Sequence, residues 1–176
     1  MTKRASAALA IALAIFCSRT PLHAEEEILG LWKTIDDRSG KPISLIFFYR
    51  YGESLYGRIL AVYDEATGRV VDTTESRLRR ADKLPGSPPL CGLDFVYGLR
   101  PAGKEWRGSL VDPATGVEYD CRLWREGDRL ILRGQVKGIG FLGKNQPLLP
   151  GDPSDLPSGY AAPPSASLVP RPPLGD

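Results

Sequence analysis

The chain has 176 residues, of which 23 are Lys or Arg and 21 are Asp or Glu, so its formal net charge is only +2. That balance offers no electrostatic footprint for nucleic acid or an anionic membrane surface. One histidine and three cysteines leave little material for His-dependent nucleophiles or an ordinary zinc site.

Residues 1–24 read as a secretory signal peptide. Lys3 and Arg4 form a positive start, residues 5–17 are an apolar stretch of 13, and Leu22-His23-Ala24 is a cleavage pattern before Glu25, Glu26 and Glu27. The apolar stretch is shorter than the ~20 residues that span a bilayer. After processing no transmembrane segment is expected, and the expected location is the periplasm or the extracellular space. Processing would leave 20 basic residues against 21 acidic ones, no histidine, and Cys91 and Cys121. Ser-His-Asp and Cys-His chemistry is then excluded. No paired-carboxylate motif stands out. The reading is a non-enzyme with no metal site and no cofactor.

Residues 28–34, 43–50 and 54–63 read as the first three strands. The second is apolar on both parities, which predicts that both its faces are covered. Residues 36–40 and 64–68 are turns, and Asp64-Glu65-Ala66-Thr67-Gly68 echoes Asp112-Pro113-Ala114-Thr115-Gly116. Residues 72–90 break the rhythm. Asp72 and Glu75 have capping-box spacing, so one or two helical turns through Leu78 are expected before Pro85, Pro88 and Pro89. Arg77, Arg79 and Arg80 read as a solvated loop face.

Four strands then follow as a meander, at 91–100, 105–111, 117–125 and 128–136. The central hairpin is the clearest. Trp106, Gly108 and Leu110 alternate with polar neighbours, as do Val117, Tyr119, Cys121 and Leu123. In the turn between them Asp112 can bond the backbone two residues on, Pro113 presets φ, and Gly116 accepts φ > 0. This register sets Cys91 roughly 20 Å from Cys121 at ~3.3 Å per residue, beyond the ~7 Å a disulfide allows. Buried thiols are expected instead. Residues 141–146 form a short last strand. From Pro147 the composition turns to Pro, Ser, Ala and Gly, and residues 147–176 read as a disordered tail. Within it Pro170-Arg171-Pro172-Pro173 resembles a polyproline ligand, read here as part of a spacer. The organisation is a signal peptide (1–24), a β domain (25–146) and the tail.

Several short patterns together resemble an exported bacterial family, domain of unknown function 2147. They are Gly30-Leu31-Trp32 with Thr34 and Asp36, then Leu55-Tyr56-Gly57-Arg58-Ile59, Trp106-Arg107-Gly108, Asp112 to Gly116 with Tyr119, and Leu132-Arg133-Gly134. Two departures stand out: Pro147 and leucines come after Gln146 where the family carries an aromatic, and the proline-rich tail is additional. The resemblance implies a lipocalin-like barrel and no established activity. The fold expected is all-β, an antiparallel up-and-down barrel of about eight strands with little helix. Closure would remove the exposed edges.

Two functions from different classes stay open. One is a small apolar ligand, such as a fatty acyl chain, held in a cavity lined by Tyr97, Trp106 and Tyr119. Gly57, Gly108 and Gly134 share the inward parity and either open that cavity or mark sharp strand coiling. The other is a filled-barrel envelope scaffold or protein-interaction module. No nucleic-acid partner is expected, and the sequence sets no oligomeric state. Gly30, Trp32, Gly108, Asp112, Pro113, Gly116, Arg133 and Gly134 are the structural signature. A guanidinium of Arg133 over the Trp32 indole would resemble the end closure of lipocalins.

Overall fold

In a computed structural model, residues 28–137, 143–158 and 168–174 are described. The predicted signal peptide and the first two residues of the predicted last strand, 141 and 142, lie outside them. Among the described residues there are nine strands: β1 Gly30–Ile35, β2 Pro42–Tyr51, β3 Ser54–Tyr63, β4 Val70–Thr73, β5 Asp94–Ala102, β6 Glu105–Val111, β7 Glu118–Glu126, β8 Arg129–Gln135 and β9 Gly143–Pro150. Every pairing is antiparallel. Eight of them form a ring, β1-β2-β3-β5-β6-β7-β8-β9, which β9 closes by pairing back onto β1. The short β4 hangs on the edge of β3. The expected lipocalin-like barrel is therefore the fold.

The turns share one chemistry. In Asp36–Gly40, Asp64–Gly68 and Asp112–Gly116 the glycine N–H donates to the aspartate carbonyl at 2.7–2.9 Å. Each aspartate side chain also accepts an N–H two or three residues on. The repeated Asp-x-x-x-Gly pattern is thus shared turn geometry at three strand ends.

Three expectations need correcting. Residues 72–79 form no helix. Asp72 is buried, and its carboxylate accepts the N–H groups of Thr73, Leu78 and Arg79 and the hydroxyl of Ser76, all within 2.9 Å. One carboxylate therefore folds the whole loop and replaces the intrahelical bonds a helix would need.

The tail boundary also moves. Pro147, Leu148, Leu149 and Pro150 belong to β9. Composition hid this because prolines argue against strands. Here Leu148 is fully buried inside, and the β1–β9 seam is only three residue pairs long. Gly151 then passes so close over β1 that a Cβ would lie 2.8 Å from that of Leu31, and a 3-10 turn comes next at Pro153–Asp155. Leu156 and, later, Leu168 pack on the outer face of β2 and β3, against Leu45, Phe47, Tyr49, Leu60 and Tyr63. This is why β2 is apolar on both parities: one face lines the barrel and the other lies under the tail.

Finally, Arg133 does not reach Trp32. It lies on the outward parity of β8 and donates to Asn145 Oδ1 at 2.8 Å. Arg125, on the inward parity at the end of β7, takes that place, with its guanidinium 5.1 Å from the centre of the Trp32 ring. The indole N–H donates to Ile28 O at 2.7 Å. Cys91 and Cys121 are buried free thiols in separate clusters. Burial is the first cause that pushes the Cys91 thiol up, to about 12.

These contacts predict two outcomes. Arg125→Ala should cost about 1–2 kcal/mol, the scale of a desolvated cation–π contact, and should alter Trp emission. Arg133→Ala should stay within about 0.5 kcal/mol, as for an exposed site. Chemical denaturation of both variants decides between the two arginines. Burial alone would raise the Asp72 carboxyl, but the N–H groups of Leu78 and Arg79 and the Ser76 hydroxyl outweigh it and hold it below the usual range. Its contribution is therefore complete above the unfolded value near ~4 and is lost as pH falls through the lowered folded value. Asp72→Asn should cost about 1–3 kcal/mol at neutral pH. In melts taken across pH, that gap should shrink on acidification.

Candidate functional site

The barrel interior is divided along its axis. At the end carrying the Gly103 and Gly127 turns, large side chains meet: Trp32, Phe48, Leu55, Leu99, Trp106 and Leu123 pack into one buried cluster. Gly57 belongs to this filled half. A Cβ there would sit 2.8 Å from the Phe48 ring and 3.1 Å from Val96, so its missing side chain makes room for neighbours and leaves no space.

The opposite end carries the 36–40 and 112–116 turns and is open. A cavity of about 410 Å³ lies there. Phe95, Leu110, Tyr119 and Leu132 form its apolar wall. Gly134 supplies the space: a Cβ at that position would meet Leu110 and Tyr119 only at 3.4 and 3.7 Å, ordinary contact distances. Thr34, Gln146 and Lys144 add polar groups, and Asp112 and Pro113 complete the rim. The Asp112 carboxylate is engaged within its own turn, by Ala114 N–H and the Thr115 hydroxyl at 2.9 Å each. Lys144 is thus the cationic group at a mainly apolar mouth.

The three residues predicted to line one cavity are separated by the structure. Tyr119 lines the mouth. Trp106 is 5% exposed within the filled half. Tyr97 points outward. Gly98 at φ 63° introduces a bulge, and the β5–β6 register shifts between Tyr97 and Arg100. Strict alternation therefore fails across it: Val96 and Leu99 both face the core, and Tyr97 packs beneath Ala81 and Leu84. Its hydroxyl donates to Glu118 Oε1 at 2.7 Å, and Lys137 pairs with the same carboxylate at 2.6 Å. Burial first, then the Glu118 hydrogen bond, raises the Tyr97 phenol above its ordinary value.

Gly108 is also not a cavity residue. A Cβ there would sit 2.8 Å from the backbone of Tyr97 and Gly98. It is the close approach that admits the bulge, which is the coiling alternative posed from sequence. Of the wall residues, Leu110 is legible from the alternation it shares with Trp106 and Gly108. Thr34, Lys144 and Gln146 were missed. Their signal was position beside strand ends at the same end of the barrel, and no motif marks it.

Among the described residues no group of three or more His, Cys, Asp or Glu could hold a metal ion, and no helix is long and apolar enough to cross a membrane. Protein HP1028 from Helicobacter pylori, described as belonging to the lipocalin family, shares the fold. Its TM-score is 0.55 at 14% identity, over 73% of this chain and 85% of that one. No curated protein matches. The family model for an uncharacterized protein conserved in bacteria, domain of unknown function 2147, matches residues 30–148. These residues include β1, the bulged β5–β6 pair, the 112–116 turn and the buried Leu148 of β9, and with them the chain belongs to that family.

Proposed function

We propose that the protein is an exported, non-enzymatic barrel that binds a small apolar ligand at its open mouth. The observation that supports this is the cavity of about 410 Å³ walled by Phe95, Leu110, Tyr119 and Leu132. Its size falls within the ~300–1,000 Å³ of small-molecule sites. Apolar walls would supply affinity by burial, and the few rim groups would orient the ligand. Lys144 is placed to meet a carboxylate, with Thr34 and Gln146 as hydrogen-bonding neighbours. A medium-chain fatty acid fits that chemistry, its acyl chain against Leu110 and Leu132 and its head group in the mouth. Export rests on the charge and hydropathy pattern of residues 1–24. The non-enzymatic reading rests on the loss of His23 with that segment and on the described mouth residues, among which there is no nucleophile–base pair.

A series of fatty acids and their matching alcohols should be titrated in a calorimeter. One saturable site is expected. Lys144→Met should weaken acid binding about tenfold, roughly 1.4 kcal/mol, and leave the alcohols nearly unchanged. Gly134→Leu should abolish binding of both by filling the cavity, with the barrel still folded. Absence of saturable binding, or an unchanged isotherm in Gly134→Leu, leaves the filled-barrel scaffold as the surviving function.

A further inference from the structure

The outer face of the barrel holds a polar site that ligand storage does not use. Arg58 on β3 is 6% exposed and Asp94 at the start of β5 is 0% exposed, although both face away from the barrel core. The guanidinium grips the carboxylate with two bonds, Nε to Oδ1 at 3.0 Å and Nη2 to Oδ2 at 2.7 Å. Tyr49 donates its hydroxyl to Asp94 Oδ2 at 2.9 Å and lies under the guanidinium, 5.1 Å from its ring centre.

Residues 168–174 cover this group, and the contact is made through their backbone. Arg58 Nη2 donates to Val169 O at 2.8 Å. Asp94 Oδ2 accepts the Arg171 N–H at 2.5 Å, and the Asp94 N–H reaches back to Arg171 O at 3.3 Å. The side chains divide accordingly. Val169 is 64% exposed and Arg171 is exposed as well, so neither side chain is read. Leu168 packs into the apolar face of β2 and β3. Pro172 and Pro173 lie across a cleft from Pro85, Pro88 and Pro89.

Proline suits the intervening positions for two reasons. It has no N–H to leave unsatisfied, and it holds the chain extended before binding, which lowers the ordering cost. The pattern read is an apolar anchor, a free position, Pro, one residue with an N–H, then Pro-Pro. Arg58 and Asp94 meet the backbone of that segment at two fixed points, Val169 O and the Arg171 N–H.

We propose that this outer groove is a recognition site for extended proline-rich peptide segments, and that residues 168–174 occupy it in cis as an exchangeable strap. A tethered segment competes at an effective concentration of about a millimolar, so the wild-type chain masks its own site. Release of the strap would expose the Arg58–Asp94 pair and the apolar face beside it together.

The test uses the full chain carrying Leu168→Asp and Arg171→Pro. These changes remove the anchor and the N–H that Asp94 accepts, and both lie outside the barrel. A fluorescent peptide of residues 167–174 is monitored by polarisation. It should bind the double variant saturably, with an apparent affinity at least about tenfold above that for wild type, in which the cis strap competes. The same peptide with Pro in place of Arg171 should lose binding, whereas Ala at that position, which keeps the N–H, should retain it. Light scattering on an equimolar mixture of wild type and double variant tests a second copy of this chain as the source, which a mixed dimer would show. No saturable binding to the double variant overturns the proposal and makes the strap an ordinary part of the fold. Equal binding of the Pro and Ala peptides overturns it too, because the backbone N–H would then not be read.

Discussion

The structure depends on the short seam between β1 and β9. Trp32, Lys33 and Thr34 pair with Pro150, Leu149 and Leu148, and this contact turns an open sheet into a ring. Without it, β1 and β9 would be two bare edges. The seam also fixes everything beside it. Thr34 and Gln146 reach the mouth, Trp32 is set under Arg125 at the other end, and the chain is carried over Leu31 at Gly151 onto the outer surface. Lys33 and Asp155 pair at 3.0 Å just beyond it, so the crossing is pinned on the outer side as well.

The same ring holds two interiors. Aromatic and leucine side chains fill one half, one of the two states open to a small barrel. The other half is emptied by one residue, Gly134, opposite Leu110 and Tyr119. An eight-stranded barrel can be full or hollow, and here each condition occupies one end. The packed core and the cavity are thereby lined by different residues of the same strands: Trp106 belongs to the packed half and Leu110, four positions on, to the mouth.

Much of this was legible because the physics involved is local. Strand periods of two, Asp-x-x-x-Gly turns and the all-antiparallel order are written in short windows, and β3 and β6 fall on the residues read from sequence. The failures share a cause as well. Tyr97 was misplaced because one residue inserted at Gly98 inverts the side-chain parity of the rest of β5. Sequence alone does not separate Arg125 from Arg133, because both are arginines near the closing strands, and only the register of β7 on β8 says which points inward. The prolines at 147 and 150 disguised a strand whose support comes from neighbours far away in sequence. The tail reads as disordered because its own composition carries no core. The apolar surface that receives Leu156 and Leu168 lies on β2 and β3, and the two-sided hydrophobicity of β2 does not name its partner.

The seam also has a consequence in time. Its two strands stand at opposite ends of the barrel sequence, so the loop that must close is nearly the whole domain. A chain synthesised from its N-terminus can build the β2–β3 and β6–β7 hairpins early, because their partners are near neighbours. It cannot complete the barrel until β9 has emerged. Such long-range closure is the slow, late step of folding. Until then the outer apolar strip on β2 and β3 also waits for its cover, since both segments that pack on it come after β9 in the chain. The nascent protein therefore passes through a stage with two open edges and one bare face, a stage at which a chaperone would find the most to hold.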